Sequence, residues 1–244
     1  QEKTKAVATF MPKFLEKMAN APAAQKQQII TVLLNAIAQR SIMVYSTNNE
    51  VRSRVLDYYD TYRKILPEQR ALFAVDWNWG GNKANRYIKR STDIIVNEVT
   101  KKATMTMLYT NESKSEGYPE GKYVNVQRVY VPQEFSYLQS SGYTKQPMFY
   151  KTSKEVPYLL GETVIAIQET KPVTLEFTMT TIPQQLSLFK QSGYEPEVVR
   201  VIVTRAINSL ISEQLLREQE FVLEGDKWVK TIVRNEDVTV RLTE

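Results

Sequence analysis

The chain has 244 residues, 42% of them apolar and 24% charged, a composition typical of a globular protein with a hydrophobic core. Its net charge of +5 comes from basic residues scattered among nearly as many acids, so it lacks the dense Lys/Arg stripe of a nucleic-acid-binding surface. The chain contains neither Cys nor His, which excludes thiol catalysis, Ser-His and Cys-His dyads, and zinc sites with His or Cys ligands within it.

The N-terminal residues carry helical patterns. Apolar residues recur at spacings of three and four over Lys3–Met18, which predicts an amphipathic helix that Pro12 should kink or break. A second helix is predicted over Pro22–Arg40, because proline suits the first turn of a helix. The two helices would form a hairpin, followed by a short strand over 41–45 and a third helix that begins near residue 49.

From Pro67 onward, β-branched and aromatic residues alternate with polar ones between turn residues, which predicts β-strands. The predicted strands are 72–78, 87–99, 103–110, 124–131, 148–151, 163–168, 173–180, 186–190, 198–205, 220–223, 227–234 and 238–242. A helical segment is predicted among them at 206–217. So many short strands predict a sandwich or a barrel.

We therefore predict an α+β fold in three parts. Residues 1–66 would form the helical hairpin, as the remnant of an upstream domain. Residues 67–182 would form a mainly antiparallel β-sandwich, and residues 183–244 a second small β unit with a short helix.

A run of short polar, aromatic and glycine residues over 76–83 is the most distinctive local pattern in the chain. Asp76 and Asn78 would project to one side of the first predicted strand, and the glycine pair that follows permits a sharp backbone reversal. The interpretation that we favour is a structural turn, in which Asp and Asn side chains bond to the nearby backbone. The alternative is a weak calcium site with Asp76, Asn78 and Asn82 as ligands, and calcium is the only cofactor that the sequence suggests.

The tryptophans of this run, Trp77 and Trp79, would project to the opposite side of the strand. Together with Tyr87 they could present flat apolar faces for stacking against sugars. Aromatic residues in strands more often pack in the core, because each one buries a large area. Core packing is therefore the favoured interpretation, and solvent exposure would separate the two.

The most basic short stretch of the chain follows, with Lys83, Arg86, Lys89 and Arg90. It could meet an anionic glycopolymer or lipid headgroups, but alternation along a strand would divide the charges between two faces. A solvated edge strand guarded by charge is the favoured interpretation. The candidate ligand-binding residues of the whole segment are Trp77, Trp79, Lys83, Tyr87 and Arg90.

Paired carboxylates at Glu112 and Glu116, and at Glu236 and Asp237, could suggest acid-base hydrolysis of glycosides. Both pairs lie in turn-rich segments, and no neighbouring apolar pattern predicts a pocket that would raise a carboxyl pKa. We therefore expect no catalytic residue and no enzymatic activity in this chain, with hydrolysis as the least favoured hypothesis.

Several motifs occur in an order that resembles the C-terminal half of domain-of-unknown-function family 4012. They are Asp76-x-Asn78-x-Gly80-Gly81-Asn82-Lys83, Tyr87, Arg90-Ser91, Thr104-Met-Thr106-Met-Leu-Tyr109-Thr-Asn111, Tyr123-x-Asn125-x-x-Arg128-Val-Tyr-Val-Pro132, Lys190-Gln191-Ser192-Gly193 and Arg234-Asn235-Glu236-Asp237. The resemblance implies a bacterial, extracytoplasmic protein that is tethered through a membrane anchor N-terminal to these residues. It supplies no catalytic residue.

We hypothesise from the resemblance a non-enzymatic cell-surface module for adhesion, scaffolding or self-assembly at the bacterial envelope. The alternative hypothesis is a carbohydrate-binding accessory module of a protein that transfers cell-wall glycopolymers. The partners implied are other envelope proteins, copies of the chain itself or cell-wall polysaccharide, with no nucleic acid and with the membrane reached only through the anchor.

Overall fold

The computed structural model describes residues 2–38, 71–151, 156–191, 197–234 and 237–243. The predicted strand over 41–45 and the predicted helix that begins near residue 49 lie outside this part of the chain. Helix α1 spans Glu2–Ala19 and helix α2 spans Ala23–Ala38, so the two N-terminal helices are present as predicted.

Helix α1 continues as one α-helix through Pro12, so the proline does not end it. Phe10 and Phe14 lie one turn apart on α1 and stack with ring centroids 5.8 Å apart, yet both are exposed. Neither helix is long and apolar enough to cross a membrane, and the same holds for the third helix of the described residues.

The part of the chain from residue 71 onward is mostly β-structure, which confirms the predicted predominance of strands. The strands are β1 (Phe73–Asn78), β2 (Ile88–Asn97), β3 (Lys102–Asn111), β4 (Tyr123–Tyr130), β5 (Phe135–Ser141), β6 (Lys145–Tyr150), β7 (Tyr158–Ile165), β8 (Thr170–Met179), β9 (Gln185–Leu188), β10 (Glu197–Thr204), β11 (Val222–Glu224), β12 (Lys227–Arg234) and β13 (Val238–Arg241). One further helix, α3, spans Glu213–Glu218.

These strands form three sheets. A four-stranded sheet has the order β1-β4-β7-β6, a seven-stranded sheet the order β11-β12-β10-β2-β3-β8-β5, and β13 pairs with β9 alone. Every pairing is antiparallel except that of β10 with β2, which is parallel.

The seven-stranded sheet contains strands from both sides of the predicted division at residue 183. Strand β10 is hydrogen-bonded to β2 on one side and to β12 on the other. Three strands of residues 183–244 thus extend the sheet that the preceding residues begin, while β9 and β13 pair with each other alone. A local pattern could not reveal this, since the parallel pairing joins residues about a hundred positions apart.

Strand β5 was not predicted, and its composition explains why. Only Phe135 of its seven residues is buried, and the strand lies at the edge of the seven-stranded sheet, so no alternating pattern is needed.

The helix predicted over 206–217 is shorter in the structure, where α3 spans Glu213–Glu218. The Glu98 carboxylate accepts hydrogen bonds from the backbone N–H groups of Ala206 and Leu210, at 2.9 and 2.7 Å, which holds the segment before α3 outside a helix.

The main apolar core contains residues of both the four-stranded and the seven-stranded sheets. Alternate residues of β3, such as Met105 and Met107, join Tyr123 and Val129 of β4 in one apolar cluster. Fully buried polar side chains lie in the same layer, and three of them, Asp76, Asn125 and Gln127, belong to the four-stranded sheet. Buried polar groups of this kind require partners, and these partners define the candidate site.

Candidate functional site

A chain of buried charged groups connects the two large sheets. The Arg90 guanidinium of β2 pairs with Asp76 of β1 through one terminal nitrogen. Its Nε and its other terminal nitrogen donate to the two carboxylate oxygens of Glu197 of β10, at 3.0 and 2.9 Å. Glu197 also accepts from Thr92 and Arg234. All three nitrogens of the Arg90 guanidinium therefore donate to carboxylates, and the two donors to Glu197 form the bidentate geometry of a strong ion pair.

The Asp76 carboxylate is saturated by donors on neighbouring strands. Asn125 and Gln127 of β4 each donate to it at 2.9 Å, and the Tyr109 hydroxyl of β3 donates at 3.0 Å. The Gln191 side chain holds the backbone of the same residue, donating to the Asp76 carbonyl at 2.7 Å and accepting from its N–H at 2.9 Å. Gln191 thereby replaces a neighbouring strand at this edge position of β1.

The ion pairs determine the charges of the cluster. Burial alone would raise the pKa of Glu197, but the Arg90 and Arg234 guanidinium groups hold that pKa below its ordinary value. Burial would lower the pKa of Arg90, but Glu197 and Asp76 raise it well above its ordinary value. Burial and the Asp76 charge raise the pKa of Tyr109. Glu197 and Arg90 are therefore ionised, and Tyr109 remains a hydrogen-bond donor, at neutral pH.

The residues proposed as calcium ligands do not come together as one set. Asn78 donates to the Asn82 carbonyl and side-chain oxygens at 3.0 and 2.9 Å and accepts from the Gly80 N–H at 3.0 Å. Asp76 instead contacts Arg90 and the buried amides of β4. The structure thus shows the side-chain-to-backbone bonds of a structural turn at Asn78, while calcium binding remains an untested prediction.

The tryptophans lie on the opposite side of β1 from Asp76, as the alternation predicted, but they face solvent. Trp77 is 42% exposed and Trp79 is 77% exposed, so the favoured interpretation that they pack in the core was wrong. The backbone N–H of Trp79 donates to the Val124 carbonyl at 2.7 Å, which continues the β1–β4 pairing one residue past the end of β1. Strand alternation therefore keeps both indole rings on the outer face of the four-stranded sheet.

A row of aromatic residues crosses the same outer face. Phe73, Tyr130, Tyr158 and Tyr150 are paired in register on β1, β4, β7 and β6. Their ring centroids are 4.9 Å apart for the first pair, 5.9 Å for the second and 4.9 Å for the third. Phe73 is buried under Phe189, whereas Tyr150 at the other end is exposed. The rings of the row therefore pack on one another, and among them Tyr150 is the exposed member.

Arg128 connects this row to Trp77. Its guanidinium carbon lies 5.4 Å from the Trp77 ring centroid and 4.7 Å from that of Tyr158, and the side chain donates to the Tyr130 hydroxyl at 3.2 Å. The Tyr130 hydroxyl is the main reason that the pKa of Arg128 is raised above its ordinary value. We call Trp77, Trp79, Arg128, Tyr130, Tyr150 and Tyr158 the aromatic face.

The other predicted ligand-binding residues lie elsewhere. Lys83 is exposed and its Nζ lies 5.9 Å from the Tyr118 ring centroid. Tyr87 lines a different cleft, with Glu112 and Glu120. Arg90 is buried in the ion-pair cluster, and β2 lies between β3 and β10, so the interpretation of an edge strand guarded by charge was also wrong.

Sequence reasoning missed Arg128, Tyr130, Tyr150 and Tyr158 as members of a site. In β4, Arg128 and Tyr130 alternate with the buried residues Gln127 and Val129. Alternation shows which residues share a face of a strand. It does not show whether the residues of a given face pack against the protein or bind a ligand. Glu112, which belongs to one of the two carboxylate pairs of the least favoured hypothesis, forms an exposed ion pair with Lys89 at 2.6 Å.

No protein-family model and no curated protein matches the chain. Among solved structures, it is similar to a proposed nutrient-binding protein from Legionella pneumophila, at 8% identity and a TM-score of 0.42, over 69% of this chain and 70% of that chain. It is also similar to an M1 zinc metallopeptidase from Deinococcus radiodurans, in a variant bound to a peptide substrate, at 8% identity and a TM-score of 0.27, over 60% of this chain and 39% of that one. Scores this low carry no argument about fold or function.

Proposed function

We propose that the chain is a non-enzymatic module that binds carbohydrate through the aromatic face. The observation that carries the proposal is the solvent exposure of Trp77 and Trp79 beside the in-register row of tyrosines on one sheet face. Flat rings at fixed spacing on a rigid sheet can stack against the apolar faces of successive sugar residues. The Arg128 guanidinium and the tyrosine hydroxyls would supply hydrogen bonds to the sugar hydroxyl groups.

The proposal includes the architecture and location expected from the sequence. The four-stranded and seven-stranded sheets would form a β-sandwich, with the aromatic face on its outside and the Asp76–Arg90–Glu197 cluster within it. The motifs shared with family 4012 support an extracytoplasmic, membrane-tethered protein of the bacterial envelope. The ligand would then be an envelope glycan, and the full-length protein would place the module at the cell surface.

The test is a titration of the purified chain with soluble peptidoglycan fragments and with chitohexaose, followed by calorimetry and tryptophan fluorescence. Saturable binding is expected, with emission changes from Trp77 and Trp79. Replacing Trp77 or Trp79 by Ala should weaken binding roughly fivefold each, since a lost stacking contact is worth about 1 kcal/mol.

Trp228→Phe is the matched control, because Trp228 is buried at 4% exposure and lies in the other large sheet. It should bind as the unmodified chain does. Absence of binding to either glycan, or equal weakening by Trp228→Phe and Trp79→Ala, would contradict the proposal.

Self-assembly through strand edges is a second candidate, favoured by β11. This edge strand of the seven-stranded sheet has three residues, all exposed, and Val222 and Leu223 present apolar side chains there. An exposed apolar edge can pair with another strand. We expect concentration-dependent oligomers in analytical ultracentrifugation that Leu223→Lys abolishes, and a strict monomer at high concentration would exclude this candidate.

A further inference from the structure

A cavity of about 280 Å³ opens beside the first residues of β2 and β10, separate from the aromatic face. Strand β10 begins at Glu197, opposite the region of Arg90 on β2, and its partner strand β12 ends at Arg234. The cavity is lined by residues of these strands and of β3. Its size is close to the lower limit of small-molecule sites in proteins.

The Arg234 side chain, which lines this cavity, has an unused donor. The side chain is 5% exposed, and a terminal nitrogen donates to Glu197. Among the residues that the structure describes, none accepts a hydrogen bond from Arg234 Nε, although that atom is buried. A buried N–H without an acceptor costs roughly 1–3 kcal/mol, so an acceptor supplied by an ion, a ligand or ordered solvent would stabilise it.

Cationic groups predominate among the described residues that line the cavity. Four of these residues are cationic, Lys89, Arg90, Lys190 and Arg234, and one, Glu197, is a carboxylate, although Lys89 also pairs with Glu112 and Arg90 with Asp76. Both oxygens of Glu197 already accept from Arg90, Thr92 and Arg234, so this carboxylate is not available to a cationic ligand. Burial and the neighbouring Arg90 charge lower the pKa of Arg234, and an anion in the cavity would counteract both effects.

The apolar residues that line the cavity indicate the uncharged part of the ligand. Ile88, Leu108 and Val198 also line the cavity, so an apolar group beside the anionic one would be accommodated. A planar carboxylate accepts from one or two in-plane donors, whereas a phosphate has oxygens on all sides. The single available N–H of Arg234 therefore suits a carboxylate better than a phosphate.

We propose that this cavity binds a small organic carboxylate with a short apolar body, and that Arg234 Nε donates to its carboxylate group. The site does not depend on the proposed carbohydrate binding, since it shares no residue with the aromatic face.

The experiment measures the melting temperature and calorimetric binding of the whole chain with sodium butyrate as the probe. Sodium chloride at equal ionic strength controls for general salt effects, and sodium phosphate tests the alternative anion. Butyrate should raise the melting temperature above the chloride control and bind saturably. No shift beyond chloride, or a shift with phosphate and none with butyrate, overturns the proposal.

Two variants test the site itself. Arg234→Lys keeps a cation that can pair with Glu197 and removes Nε, and it should weaken butyrate binding roughly tenfold or more. Val198→Glu places a second carboxylate at a partly exposed wall position and should weaken binding to a similar extent, even if Arg234→Lys fails to fold. Val222→Glu is the control, because Val222 is exposed on β11 and does not line the cavity. Equal butyrate affinity in Val198→Glu and Val222→Glu overturns the proposal.

Discussion

Asp76 and Arg90 form a buried ion pair across the two large sheets, with side chains that are 0% and 4% exposed. Arg90 also holds Glu197 at 2.9 Å, so one guanidinium joins β1 of the four-stranded sheet to β10 of the seven-stranded sheet. Buried ion pairs do not necessarily increase stability compared with apolar residues, but they penalise every arrangement that leaves one partner alone. The pair therefore fixes how the sheets meet, which in turn fixes the face that carries Trp77.

Removing Arg90 should be strongly destabilising. Arg90→Met leaves the buried Asp76 carboxylate without its cation and leaves Glu197 with Arg234 alone, and we expect a loss of about 3–5 kcal/mol in the free energy of unfolding. Urea unfolding of the variant and of the unmodified chain at pH 7 measures this change in the free energy of unfolding. The matched control is Arg200→Met, because Arg200 pairs with Asp93 at 3.3 Å across the neighbouring strands β10 and β2, but both side chains are about half exposed. The control should lose no more than about 1 kcal/mol. Similar losses in the two variants would show that the buried cluster is not a structural connection.

The stability of the fold should fall at acidic pH through Glu197. Its pKa in the folded chain lies below that of an unfolded glutamate, because Arg90 and Arg234 favour the charged form more than burial opposes it. The unfolded chain therefore binds the proton first, so the stabilisation is present above the ordinary glutamate pKa and is lost as the pH falls through the lower folded value.

The measurement is urea unfolding of the unmodified chain and of Glu197→Gln at a series of pH values from neutral to strongly acidic. The stability difference should be largest at neutral pH and should shrink below the ordinary glutamate range, since Gln cannot titrate. Other carboxylates titrate in both proteins and cancel in the difference. A difference that stays constant over the whole series would mean that Glu197 does not carry this effect.

Gly142, which follows β5, should tolerate no side chain. Its φ of +85° is unfavourable for other residues, and an added Cβ would lie 2.2 Å from the Pro172 carbonyl oxygen of β8. Gly225 has a similar φ of +65° with no atom within 4 Å of such a Cβ, so it isolates the backbone effect from the steric one. Gly225→Ala should cost about 1 kcal/mol, and Gly142→Ala about 1–3 kcal/mol more. Equal melting temperatures for the two variants would contradict the close approach of β5 and β8.

Local patterns predicted the elements well where alternation is strong. Strand β12 was predicted with the bounds that the structure shows, because Trp228, Ile232 and Arg234 alternate with exposed residues. The same kind of pattern could not show which side of β1 faces the core. Tryptophan was the expected core residue, yet Asp76 is buried instead because partners from β2, β3 and β4 surround it.

The candidate sites depend on pairings that are distant in the sequence. Arg90 and Glu197 are separated by 107 positions, and the aromatic row joins residues of four strands. A single sequence indicates which residues lie on a strand, but the register between strands is needed to place Tyr150 beside Tyr158. This is why Arg90 was interpreted as a surface charge and the tyrosines were not assigned to a site.

The exposure of the tryptophans can be measured without any ligand. Trp228 is buried, and its ring centroid lies 4.8 Å from the Arg217 guanidinium carbon, whereas Trp77 and Trp79 face solvent. In the double variant Trp77→Phe/Trp79→Phe, the remaining Trp228 emission should be blue-shifted and weakly quenched by acrylamide, because the surrounding core excludes the quencher. In Trp228→Phe, the emission should be red-shifted and several-fold more strongly quenched. The opposite ranking would place the aromatic face in the core and would remove the observation on which the proposed carbohydrate binding rests.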